Sequence, residues 1–128
     1  MLAGIVGGLI AWLIVASIGN LLLRMFWPGY AAVEAAMTFT LGMLLARLAL
    51  GAVSSLCAGF AAAWITKGNA RITYVLGVLL TVLFLPLHYR LWDKFPVWYH
   101  LLFLATLFPL TLLGASLWTR RGSSVPPA

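Results

Sequence analysis

The chain has 128 residues, 64% of them hydrophobic and only 8% charged, with a formal net charge of +6. Soluble domains are about 45–50% apolar and about 25% charged, so this composition leaves too little polar surface for water and requires lipid as the solvent. The basic residues are scattered singly between apolar runs rather than gathered into a patch with interleaved aromatics, which excludes a nucleic-acid partner and places them among anionic headgroups.

In hydrocarbon every backbone polar group must be paired within the protein, and long continuous apolar runs, as opposed to alternating ones, select helices. The first run, Leu2 to Leu23, holds no Lys or Arg and is too long for the core of a signal peptide; it is read as a retained span. It ends at Arg24, before Trp27 and Tyr30 as interfacial anchors and Pro28-Gly29 as a turn.

Ala31 to Thr66 contains no proline and, as one helix, would be longer than a crossing requires. It is divided into a short interfacial helix over about 31–40 and a second span over about 41–66, with Gly42 as the bend; one long tilted helix is the alternative. Lys67–Arg71 forms a polar turn, with Gly68 suited to a helix C-cap. A third span over about 72–89 carries Pro86 near its end. Pro96 then opens the first turn of a fourth span over about 97–119, which contains Pro109. The expected architecture is an all-α integral membrane protein: a four-transmembrane-helix bundle forming one domain over residues 1–121, followed by a disordered tail, 122–128.

With four spans, both termini share one side. That side carries Lys67, Arg71, Arg120 and Arg121; the other carries Arg24, Arg90 and Lys94, with Arg47 as a further candidate. The excess of Lys and Arg toward the cytoplasm therefore favours N-in, C-in.

Three features are candidates for function. Gly51, Ser55, Gly59 and Ala63 recur every four residues, and Gly4 and Gly8 do the same in the first span. Small residues at that spacing allow close helix approach, within the bundle or between copies in a homo-oligomer. Secondly, Arg47, Glu34 and Asp93 fall toward the outer side. Arg47 shares the face of Gly51, and it either snorkels to headgroups, pairs with Glu34 or Asp93, or serves a substrate site. Thirdly, His88 and His100 lie at similar depth in a helical hairpin. They belong either to an interfacial girdle with Tyr89, Trp92, Trp98 and Tyr99, or to a haem or metal site, or to a protonation sensor. Cys57 sits inside an apolar run as a packing residue.

No nucleophile elbow, zinc-protease or phosphate-loop motif is present, so neither a catalytic residue nor a resident cofactor or metal is expected. The remaining roles are a structural or accessory protein acting through lateral contacts with other membrane proteins, a transporter or channel subunit with a polar site near Arg47 and Glu34, or, third, a haem- or metal-binding protein.

Arg47, the Ala63-Trp-Ile-Thr66 segment, Leu76-Gly77, Phe95-Pro-Val-Trp-Tyr99, Pro109 and Leu113-Gly-Ala115 together resemble a family of small, uncharacterised four-span proteins of the bacterial inner membrane. The resemblance implies the architecture and a bacterial inner-membrane location. It transfers no functional residue.

Overall fold

The computed structural model describes residues 2–27, 29–30, 32–33 and 39–123. Four helices account for most of them: α1 (Leu2–Phe26), α2 (Leu41–Thr66), α3 (Ala70–Arg90) and α4 (Val97–Ser123). Each is long and apolar enough to cross a membrane. The protein is an all-α, multi-pass membrane bundle whose outward faces present Leu, Ile and Val to lipid.

The helix boundaries follow from local chemistry. Thr40 is extended (φ −73°, ψ 167°), and its hydroxyl accepts a hydrogen bond from the Met43 backbone N–H. Thr40 is thus an N-cap, which rules out a single helix through residues 31–66 and moves the break from Gly42 to Thr40. Gly42 lies in the first turn of α2. The expected interfacial helix falls largely on residues outside those described.

At the other end of α2, Lys67 takes the left-handed cap conformation (φ 56°), one residue before the expected glycine. Gly68 follows, also at positive φ, and donates its N–H to the Ala63 carbonyl. Asn69 caps α3 by accepting from the Arg71 and Ile72 N–H groups. Pro96 lies just outside α4, its carbonyl accepting from Tyr99 and His100. Pro86 and Pro109 both lie inside helices, on exposed faces. Of the tail expected over 122–128, residues 122–123 belong instead to α4, and the rest lies outside the described residues.

Helix α2 is central, packing most extensively on α4 and α1, while α3 leans chiefly on α4. Lipid supplies no hydrophobic force between helices, so association depends on close van der Waals fit and buried hydrogen bonds. Gly51, Ser55, Gly59 and Ala63 are all buried within the chain. A Cβ added to Gly59 would fall on the Thr111 carbonyl of α4, and one added to Gly114 on the Leu56 carbonyl of α2. The two backbones touch reciprocally there. Gly8 lies against the Ala58 carbonyl and Gly4 against Thr66, Ile72 and the Ala62 carbonyl, so the stripe of α1 also packs inside the bundle.

Replacing Gly59 with Leu should force α2 and α4 apart. Overpacking of this kind costs about 1–3 kcal/mol. Thermal unfolding in mild detergent should show a clear drop for Gly59→Leu and little change for Val53→Leu on the lipid face of the same helix.

Candidate functional site: a polar cavity around Arg47

Arg47 lies on α2 about two turns from its N-terminus, or about 9 Å at about 1.5 Å per residue. Its side chain points into the bundle instead of snorkelling. Nε donates to the Tyr99 hydroxyl (3.3 Å) and Nη1 to the Tyr30 hydroxyl (2.9 Å). The guanidinium carbon sits 4.7 Å from the centre of the Phe39 ring and 6.0 Å from that of Phe95, so ring faces share in balancing the charge. Phe39, Phe95 and Tyr99 form a stack, with neighbouring ring centres 5.8 and 4.8 Å apart.

Tyr30 reaches this position because the chain turns sharply at Trp27–Tyr30. The Tyr30 N–H bonds to the Trp27 carbonyl and Gly29 takes a positive φ of 81°. The ring is then fully buried (0% exposed), not an interfacial anchor. Its hydroxyl accepts from Arg47 and donates to Asn20 of α1 at 3.4 Å. One cation thereby ties α1, the turn after it, α2 and α4 together.

Asp93, one expected partner of Arg47, is exposed in the turn between α3 and α4, beside Tyr89, Arg90 and Trp92. The other, Glu34, lies outside the described residues. Among the described residues, the hydrogen bonds of Arg47 go to hydroxyls and none to a carboxylate.

The expected aromatic girdle divides in two. Tyr89 is 83% exposed and Trp92 and Trp98 face outward, whereas Tyr99, His88 and His100 are buried. The histidines meet directly, with Nδ1 to Nδ1 at 2.7 Å, and His100 Nε2 lies 3.3 Å from the Trp92 carbonyl oxygen. A carbonyl only accepts, so Nε2 of His100 carries the hydrogen. In that tautomer Nδ1 of His100 accepts from Nδ1–H of His88. The remaining nitrogen of His88, Nε2, is a lone-pair acceptor.

A metal shared between the two Nδ1 atoms would need about 2.0–2.1 Å to each, more separation than a 2.7 Å contact leaves at tetrahedral angles. Among the described residues no group of three or more metal-ligating side chains comes together.

Beside Arg47 is a cavity of about 200 Å³. Arg47, Asn20, His88 and Tyr99 give it polarity, and Trp12, Leu50, Phe84 and Phe103 are among its apolar walls. Deeper in the bundle, Trp12 Nε1 donates to Ser55 Oγ (3.1 Å), which donates in turn to the Gly51 carbonyl. Asn20 and Trp12 were not among the residues singled out from sequence, and Tyr30 was read only as an interfacial anchor. The available signals were an asparagine and a mid-span tryptophan in a run otherwise free of hydrogen-bonding side chains longer than serine.

Comparison with protein-family models, with curated proteins and with solved structures found no match.

The histidine contact can be measured. His100→Phe strands the Nδ1–H of His88, a loss of about 1–3 kcal/mol. His88→Phe should be destabilising in the same way, and the double variant should cost less than the two singles combined, with a coupling on the order of 1 kcal/mol. Unfolding by SDS in mixed micelles reads all three; strictly additive losses would mean that the pair is not formed.

Proposed function

We propose that this chain is a non-catalytic, membrane-embedded binding component, of the kind that serves as a transporter subunit, and that its working element is the polar cavity around Arg47. The observation that carries this reading is a half-buried cation that lines a cavity and, among the described residues, is held by two tyrosine hydroxyls instead of a carboxylate. Charged groups at membrane depth are expensive and characteristically line a functional path. The alternative of a purely structural accessory protein draws less support, because the small-residue stripes that would have formed lateral contacts are used inside the bundle. Contacts with a second copy or another membrane protein would then run through the outward Leu, Ile and Val faces.

The location we propose is the bacterial inner membrane, with both termini cytoplasmic. Arg47 turns inward and so drops out of the loop charges, leaving Lys67, Arg71, Arg120 and Arg121 on the side of the termini against Arg24, Arg90 and Lys94 on the other. The cavity then faces the outer half of the bilayer.

Cysteine accessibility tests both statements. In a Cys57→Ala background, Ala16→Cys on the cavity wall should react with a membrane-impermeant maleimide applied from outside to intact cells. Ala62→Cys, at a fully buried position where the helices close, should not react. An unreactive Ala16→Cys from both sides of the membrane would mean a dry interior and would return the protein to the accessory role.

A further inference from the structure

The chemistry of the cavity also selects a class of ligand, an inference that rests on the binding role proposed above. A guanidinium has five N–H donors. Tyr99 and Tyr30 occupy two, leaving three, both of those on Nη2 included, without a protein acceptor among the described residues. No buried side-chain nitrogen or oxygen among the described residues lacks a partner, so Nη2, which has none, is not sealed in the packing, and Arg47 lines the cavity. Two hydroxyls and two ring faces lower the energy of the cation but do not neutralise it. The group that complements the remaining donors is an anion with an acceptor pair that matches the planar fork of the guanidinium, which a carboxylate provides.

The walls define the rest of the ligand. Among the described residues Arg47 is the one formally charged side chain lining the cavity, so a monoanion balances it and a dianion such as phosphate leaves a charge unmet. Beyond Arg47 the surface is aromatic and aliphatic, from Trp12, Leu50, Phe84 and Phe103, and suits an apolar body. An apolar cavity of about 150 Å³ takes a benzene ring. The space of about 200 Å³ here therefore admits a ring plus a carboxylate and is too small to enclose a full lipid.

We propose that the cavity binds a small organic monocarboxylate, of the size of benzoate, with its carboxylate on Arg47 and its apolar body against Trp12, Phe84 and Phe103. The acid comes from solution; a lipid headgroup offers the same anionic chemistry from a different source.

Equilibrium dialysis of radiolabelled benzoate against the purified full chain tests this, in detergent and in nanodiscs of zwitterionic or anionic lipid. The expected result is saturable binding of one benzoate per chain, equal in both lipids and not displaced by the neutral analogue benzyl alcohol. Arg47→Gln should weaken it by about tenfold or more, as expected for loss of a charge-assisted hydrogen-bond pair. Ala16→Leu, which fills the cavity and keeps the cation, should weaken it similarly, with retained thermal unfolding showing that the variant is folded. Arg47-dependent binding of anionic lipid or of labelled inorganic phosphate, without benzoate binding, overturns the ligand class and leaves the cavity as a binding site. No Arg47-dependent binding of any of these anions, together with an unreactive Ala16→Cys, overturns both.

Discussion

The reciprocal contact of α2 and α4 at Gly59 and Gly114 sets the geometry of the whole bundle. The two backbones meet with no side chain between them, each glycine lying against a carbonyl of the other helix. Two turns earlier along α2, Gly51 is met by the ring of Phe103, so the gap has widened from backbone contact to the width of a side chain. One half of the protein is closed by small residues; the other must be filled by large ones. Trp12, Phe84, Phe95, Tyr99 and Phe103 fill it, and bulky rings leave irregular space between them. The cavity beside Arg47 is the counterpart of the tight packing at Gly59.

Polarity within this half is organised by the same scarcity of water that dictates the helices. Hydroxyls along the spans return to their own helices, with Ser54 bonding to the Leu50 carbonyl, Thr81 to that of Gly77 and Thr111 to that of Leu107. Side chains too long or too charged for that solution come together instead. Arg47, Tyr30, Asn20 and Tyr99 form one such group and His88 with His100 another, and the ring of Tyr99 lies 6.2 Å from that of His88, between them.

The architecture was legible because continuous apolar runs in lipid permit few alternatives. Four helices were expected, and α2 begins and ends where the apolar pattern places it. The place of Arg47 near the start of α2 was legible too, but its direction was not. Snorkelling outward and hydrogen bonding inward look identical along the sequence, and the choice was made by Tyr30, placed through a turn that reverses the chain. Tyr30 and Tyr89 illustrate the difficulty: both sit near span ends among aromatic neighbours, yet one is sealed and the other exposed. Local composition cannot separate them, because burial here depends on which face a neighbouring span covers. The histidines were correctly paired by depth, whereas their direct contact required the spacing of α3 and α4, which no local pattern carries.

The tautomer of His88 and His100 is set from one end, by a backbone carbonyl that can only accept. The asymmetry has a consequence for substitution. The place of His88 calls for a donor toward His100, and the place of His100 for an acceptor toward His88 together with a donor toward Trp92. A side chain that only donates, such as lysine, would at His100 set two donors against each other. The two rings, identical in kind, are therefore not interchangeable in place.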